Sequence, residues 1–278
     1  MTHLAWRKAK NAGMILLMAS AALAVLVPLA LIFVHIVRMG GSAVNLDFFT
    51  RIPSPPGEAG GGMANGMAGS AILIGLASFL GIPVGIFGAV YLSEYGGNRI
   101  SAIIRFSADV LAGVPSIITG MVAYALLVVP MKGFSALAGA LALALIMIPI
   151  VLRTTEEQLK LVPTSLREAS LALGVPLWRT TLKVTLRSAL TGVLTGILLA
   201  IARIAGETAP LLFTALGNQF WGWKLTQPIA AMPLQIFNFA ISPYEDWHRL
   251  AWAGALVLVT VMFGLSLAAR FFGRSRRY

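Results

Sequence analysis

The composition of the chain is that of a membrane protein. Its 278 residues are 58% hydrophobic and only 11% charged, whereas a soluble domain carries about 25% charged residues, so a soluble globular protein is excluded. The chain contains no cysteine, which excludes a disulfide, a thiolate metal site and a cysteine nucleophile. The formal net charge is +11, and the positions of the basic residues decide what that charge means.

Six apolar segments are long enough to cross a bilayer, which takes about 20 residues in a helix. Their approximate bounds are 14–37, 67–92, 108–129, 134–152, a fifth starting near 186, and 250–272. The first exceeds the apolar region of a signal peptide, about 7 to 15 residues, so we expect an uncleaved span. The segment 229–240 is shorter and is interrupted by Pro233, which predicts an interfacial or re-entrant piece.

The early connections carry several local predictions. Residues 38–66 form an external loop, whose glycine-rich part lacks the Gly-Lys-Ser/Thr ending of a nucleotide-binding loop. Residues 93–105 form a short polar turn. The sequence Gly113-Val114-Pro115-Ser116 predicts a bend early in the third span. Asp109 is either a pathway group or a capping or salt-bridged residue near the inner end of that span.

The stretch 153–187 is the longest polar interval in the sequence. The fourth helix is predicted to continue into it, since Glu156 and Lys160 pair at i,i+4, and to end by Pro163. A second, very short helix follows. Ser165 and Glu168 match a capping box at its start, and Gly174 suits a left-handed position at its end. Two turns are marginal alone in water, so this helix needs a docking surface.

Small residues four apart mark helix faces for close packing, namely Gly81 with Gly85 and Gly192 with Gly196. The fifth span also carries Arg203 and Glu207, which we expect on one face of one helix. Charged residues at membrane depth cost about 2.5–3.5 kcal/mol each on insertion scales and mark a pathway by default. The alternative is a structural ion pair in which each charge neutralises the other.

The basic residues predict the orientation of the chain. With the N-terminus inside, fifteen of the lysines and arginines fall in inner segments, five in outer segments, and Arg203 within the membrane. This bias predicts that both termini and the stretch 153–187 are cytoplasmic. Trp221, Trp223 and Trp247 suit contact with membrane lipid at the interface. The positive charge is thereby explained by topology, and we expect no nucleic-acid partner.

No catalytic or metal-binding constellation is recognisable in the sequence. We therefore expect a chain that is not an enzyme, has no cofactor of its own, and depends on another chain for any use of ATP. Arg203 is suited to binding an oxyanion because its guanidinium is bidentate and always charged. Glu207 beside it would accept a hydrogen bond from a protonated oxyanion, which favours phosphate over sulfate.

Glu168-Ala169-Ser170, Gly174 and Val184-Thr185-Leu186 follow the spacing of a known cytoplasmic signature, with Arg187 in place of its final proline. On these residues the chain resembles the permeases of binding-protein-dependent ABC transporters. The resemblance implies an all-α, polytopic type I importer permease fold with six transmembrane helices. It also implies that Arg167, Glu168, Ala169, Leu173 and Gly174 belong to a coupling helix that docks into an ATPase.

The segment 203–213 closely resembles the A-type permeases of phosphate-specific transport, as do residues 60–65 and 111–117. The resemblance implies a bacterial cytoplasmic-membrane complex with an ATPase dimer holding ATP-Mg, a homologous second permease and an external phosphate-binding protein. It carries over Arg203, Glu207 and Thr208 as pathway residues. The domains expected are a first helix and loop (1–66), a permease core (67–272) with its coupling region (153–187), and a basic tail (273–278).

Three other functions remain open at this point. The first is a permease for another oxyanion such as molybdate or sulfate. The second is an ion-coupled secondary transporter, which would show inverted repeats and protonatable residues deep in several spans; here deep acids are nearly confined to Glu207, with Asp109 at an edge. The third is a membrane scaffold or sensor without transport.

Overall fold

The computed structural model describes residues 3–58 and 60–274, and within them the chain is helical and contains no strand. The helices in chain order are α1 His3–Gly40, α2 Leu46–Thr50, α3 Ala64–Glu94, α4 Arg99–Gly113, α5 Ser116–Met131, α6 Ala136–Lys160, α7 Thr164–Ala172, α8 Leu177–Ala205, α9 Ala209–Leu212, α10 Met232–Ala240 and α11 Glu245–Arg274. The predicted all-α class is confirmed. Residues 275–278 of the predicted basic tail lie outside the described residues.

Five helices, α1, α3, α6, α8 and α11, are long and apolar enough to cross a membrane. Helices α4 and α5 provide a sixth crossing if they form one broken span, and the chain bends by 108° between them. The break at Gly113-Val114-Pro115-Ser116 was expected from the sequence and is confirmed. Pro115 removes a backbone donor and restricts the residue before it, so one straight helix cannot pass through this point.

Three boundaries differ from the sequence predictions. The polar turn expected over residues 93–105 is wrong in its second half, because α4 already begins at Arg99 and Asn98 Oδ1 caps it by accepting from Ser101 N at 2.9 Å. The external loop contains the short helix α2, which Asn45 caps in the same way. The fifth span begins at Leu177 rather than near 186, and a π-helical turn at Thr181–Thr185 carries it through Arg187 without a stop.

Both predicted glycine faces lie at the centre of the fold. Gly85 of α3 lies so close to α6 that a Cβ there would be 2.8 Å from Val151 Cβ. Gly196 of α8 is also close to α6, where a Cβ would lie 2.5 Å from Thr154 Oγ1. Only glycine lets these backbones approach so nearly. Helix α6 is therefore the packing centre, with α3 parallel to it and α8 antiparallel.

The end of the fold that holds α2 and α10 is built by loops and short helices. Residues 213–231 cover the start of α6, whose backbone N–H groups at Ser135, Ala136 and Leu137 donate to carbonyls of this loop. Asn65 at the start of α3 donates to the carbonyls of Asn218 and Gln219, each at 3.0 Å. These bonds satisfy helix-end donors that would otherwise be unpaired. The short apolar piece predicted over 229–240 contains α10, Met232–Ala240, and its interfacial or re-entrant position stays a prediction.

Candidate functional site

Arg203 and Glu207 are neighbours, but they do not share a helix. Arg203 lies in the last turn of α8, which ends at Ala205, and Glu207 follows Gly206 in the short gap before α9. The guanidinium Nη1 of Arg203 contacts Oε1 of Glu207 as an ion pair. The expected contact is therefore confirmed, while its expected setting on one continuous helix is wrong. Gly206 and the nearby Pro210 interrupt the helix at this point.

The two side chains of the pair differ greatly in exposure. The side chain of Arg203 is 61% exposed, whereas that of Glu207 is 8% exposed. Oε1 of Glu207 has no hydrogen-bond partner of acceptable geometry, although it touches Arg203. Thr208 beside them is half-buried. The guanidinium is thus held by a carboxylate behind it and presents its open side away from the chain.

The pair lies level with the first half of α6. Ile204, next to Arg203, belongs to the same buried cluster as Leu143 of α6, about two turns from the start of that helix. Two contacts between the antiparallel helices α8 and α6 agree with this position: Gly192 lies against Gln158, and Gly196 lies against Thr154. Residues 136–152 of α6 carry no charged side chain, so the exposed cation Arg203 is level with an apolar part of that helix.

A close contact that the sequence did not indicate supports the segment around Glu207. Gly120 of α5 lies against Pro210, where a Cβ at position 120 would be 2.6 Å from Pro210 Cα. Helix α5 therefore fixes the start of α9 and, through it, the backbone that carries Glu207 and Thr208. A single glycine in an apolar helix gives no signal of such a contact until the tertiary fold is known.

The predicted short helix is α7, and its two ends were predicted with different success. Gly174 has φ +77°, and the N–H groups of Gly174 and Val175 donate to the carbonyls of Leu171 and Ser170, which is a Schellman motif. The predicted capping box is wrong. The helix begins one residue earlier than Ser165, at Thr164, and Pro163 precedes it without a side-chain cap.

The five residues assigned to coupling separate into two groups. Glu168, Ala169, Leu173 and Gly174 are exposed, and the side chain of Leu173 is 84% exposed. Arg167 instead points inward, where Nη1 lies 3.3 Å from Glu94 Oε1 and Nη2 donates to the carbonyl of Leu159 at 2.7 Å. Further exposed apolar side chains surround the first group: Leu166, Leu171, Leu177 and Trp178.

A charged cluster at the end of α6 was only partly foreseen. The predicted pair of Glu156 and Lys160 is present at 3.1 Å. Glu156 is completely buried and also binds Arg105 of α4 at 2.9 Å and Arg153 at 3.3 Å. Arg153 pairs in turn with Asp109, so the salt-bridged interpretation of Asp109 is the one that the structure supports. The pairs of Arg105 with Glu156 and of Arg153 with Asp109 are 51 and 44 residues apart in sequence, which hid them from local pattern analysis.

The Arg203–Glu207 pair and the exposed face of α7 lie far apart. They are connected by α8, in which Arg203 is 26 positions beyond Leu177, or about 39 Å along the helix axis. A rigid-body or shear movement of helices is one way to link two sites at that distance in one chain.

Comparison with known proteins gives consistent results. The family described as "Binding-protein-dependent transport system inner membrane component" matches residues 81–278. The phosphate transport system permease protein PstA of Yersinia pestis is 48% identical over 267 residues, which cover 96% of this chain and 90% of that protein. The protein of the same name from Haemophilus influenzae is 43% identical over 98% of this chain and 96% of its own length.

Solved structures show the same fold at low sequence identity. A chain from an inward-facing crystal form of the MetNI methionine ABC transporter superposes with a TM-score of 0.60 at 18% identity, covering 76% of this chain and 92% of that one. A chain of an amino acid ABC transporter gives a TM-score of 0.57 at 16% identity. The expected type I importer permease fold is thereby confirmed. The chain belongs to the family of binding-protein-dependent transport system inner membrane components.

Proposed function

We propose that the chain is the membrane-spanning permease subunit of an ATP-driven importer of inorganic phosphate. The observation that carries the proposal is Arg203, a largely exposed cation level with the apolar part of α6, in a chain whose relatives are named as phosphate transport permeases. An exposed arginine facing lipid would cost several kcal/mol. A phosphate passing by that face, or a second permease covering it, removes that cost.

In this proposal Arg203 is the anion ligand of the pathway. Its guanidinium offers two parallel N–H donors to a pair of phosphate oxygens. Glu207 occupies the other side of the guanidinium when no substrate is present and limits the affinity for the anion, so that release remains fast. Thr208 adds a hydroxyl that can donate to a phosphate oxygen.

The pathway requires a second permease. One chain leaves the side of Arg203 open, and a homologous subunit facing it would enclose a channel to which both chains contribute charged groups. We place both termini and α7 on the cytoplasmic side of the bacterial inner membrane, on the basis of the basic residues. The external phosphate-binding protein would then deliver its ligand to the opposite end, near α10.

The exposed face of α7 is the proposed docking surface for the ATPase dimer. Glu168 and Ala169 are exposed there beside Leu173, and an exposed apolar patch of this kind marks an interaction site. ATP-Mg would be bound and hydrolysed entirely in the partner. Closure of the ATPase dimer would displace α7 and switch the spanning helices between outward-open and inward-open states.

The test is uptake of radiolabelled phosphate into proteoliposomes that contain this chain, the second permease, the ATPase and the binding protein. Wild type is compared with Arg203→Gln and Glu168→Ala, with molybdate and sulfate as competing substrates. We expect ATP-driven uptake of phosphate that Arg203→Gln lowers at least about tenfold while the complex still assembles. Glu168→Ala should weaken the association of the ATPase.

Other results would support other functions. Uptake driven by an ion gradient without ATP would indicate a secondary transporter. Full uptake in both variants would mean that the two site assignments are wrong. A wild-type complex that transports molybdate or sulfate in preference to phosphate would reassign the substrate.

A further inference from the structure

Glu94 and Arg167 form a buried junction between the spanning helices and α7. Glu94 is the last residue of α3, and its side chain is only 4% exposed. Its Oε1 lies 3.3 Å from Arg167 Nη1, and its Oε2 lies 3.5 Å from Thr181 Oγ1 in the π-helical turn of α8. One carboxylate therefore contacts the short helix and the start of the following span together.

Arg167 extends this junction to a third spanning helix. Its Nη2 donates to the carbonyl of Leu159 at 2.7 Å. This carbonyl has no i+4 donor, because residue 163 is proline, and it also accepts from Val162 N at 3.2 Å. Three residues further along α7, Ser170 and Thr180 share a buried hydrogen bond of 2.8 Å. The inward face of α7 is thus bonded to α3, α6 and α8, while its other face carries the exposed residues.

The helices that receive these bonds form a stiff unit. Gly81 and Gly85 bring α3 against α6 so closely that Cβ atoms there would meet Met147 and Val151 at 3.3 Å or less. Packed interfaces of this kind shift as bodies and do not deform continuously. A displacement applied to α7 through Arg167 would therefore reach α3 and α6 together.

We infer that the Glu94–Arg167 pair is a positioning contact for transport, which makes α7 and the α3–α6 pair move as one body. The inference rests on the proposed function, because it assumes that an ATPase displaces α7. Apolar contacts can slide against each other, whereas a charge-assisted pair is directional and fixes orientation. A buried ion pair also contributes little to stability compared with apolar residues of similar size, so a role in fixing geometry suits it better.

The first test compares Glu94→Gln and Arg167→Gln with Glu157→Gln, which removes an exposed pair with Lys160 in the same region. The measurements are assembly of the complex, ATP hydrolysis, and phosphate imported per ATP hydrolysed in proteoliposomes. We expect Glu94→Gln and Arg167→Gln to assemble and hydrolyse ATP while the import per ATP falls about fivefold, within the range that single residues exert on coupling. Glu157→Gln should match wild type.

A second test replaces the ion pair with a covalent cross-link between positions 94 and 167. The chain has no cysteine, so Glu94→Cys with Arg167→Cys provides the only thiols of this subunit for a short bifunctional thiol reagent. We expect poor coupling before the reagent is added and import per ATP of at least half the wild-type value after it. A cross-link that abolishes import would mean that the two helices must separate during the cycle, which overturns the inference.

The remaining outcomes also decide the matter. Normal import per ATP in Glu94→Gln and Arg167→Gln would overturn the inference while leaving the proposed function intact. Loss of assembly in every variant, cross-linked or not, would assign the pair to folding alone and overturn it as well. Absence of ATP-driven phosphate uptake in wild type would instead refute the proposed function, and the inference with it.

Discussion

Arg105 of α4 and Glu156 of α6 are 51 residues apart in sequence, and the guanidinium of the one lies 2.9 Å from the carboxylate of the other. Arg105 also donates to the carbonyl of Leu92 at 3.3 Å. The pair therefore joins α3, α4 and α6 at the end of the fold where α7 begins. Glu156 is completely buried, and a carboxylate buried without a partner would be too costly to stay ionised. Arg105, together with Arg153 and Lys160, compensates its negative charge.

The first prediction concerns this buried carboxylate. Glu156→Gln leaves Arg105, Arg153 and Lys160 without their common partner, and breaking a buried pair costs about 3–5 kcal/mol. The three cations are partly exposed and can be hydrated again, so we expect the lower end, about 3 kcal/mol. Thermal unfolding in detergent should show a clearly lower midpoint, whereas Glu157→Gln at the surface should not. Equal midpoints would contradict the structural role of Glu156.

The second prediction concerns the glycine face of α3. In Gly85→Ala the new methyl group meets Val151 Cβ at 2.8 Å, so α3 and α6 must separate, at a cost of about 1–3 kcal/mol. Gly75→Ala on the same helix is the matched control, since a Cβ there meets nothing within 4 Å. The thermal midpoint should fall in the first variant and stay equal or rise in the second. A fall in both would show that packing against α6 is not the cause.

The third prediction concerns substrate selectivity. In the proposed pathway, the carboxylate of Glu207 would accept a hydrogen bond from a protonated oxyanion and would repel one that is fully deprotonated. Phosphate keeps a proton near neutral pH and sulfate does not. In Glu207→Gln we expect inhibition of phosphate uptake by sulfate to strengthen about tenfold, which is equivalent to 1.4 kcal/mol.

The control for selectivity is Asp109→Asn, another neutralised acid, which lies in α4 beside Arg153 and away from the pathway. Sulfate competition should be unchanged in it. If Glu207→Gln also leaves the preference unchanged, the carboxylate does not select the protonation state of the substrate.

The fourth prediction concerns the end of α7. Gly174 has φ +77°, and a residue with a Cβ costs about 1–2 kcal/mol in that conformation, so Gly174→Ala should loosen the helix end. Hydrogen exchange of the amides in α7 should become faster by roughly fivefold or more, as a change of 1 kcal/mol implies. Ser165→Ala should leave exchange unchanged, because no side chain caps the start of α7. The opposite ranking of the two variants would restore the capping box.

Local signals in the sequence determined much of this protein. Apolar length located the spanning helices, Pro115 located the break between α4 and α5, and Gly174 located the end of α7. The glycine pairs predicted which faces pack closely. Each of these features depends on residues near one another in the chain, where length, backbone conformation and missing donors act directly.

The tertiary structure alone decided the contacts between distant residues. It turned Arg167 inward onto Glu94, gave Glu156 the partner Arg105 beside the predicted Lys160, and set Gly120 against Pro210. It also ended α8 before Glu207, so that one member of the charged pair is buried and the other exposed. Burial and long-range pairing depend on how helices cross, and helical periodicity within one segment does not specify that crossing.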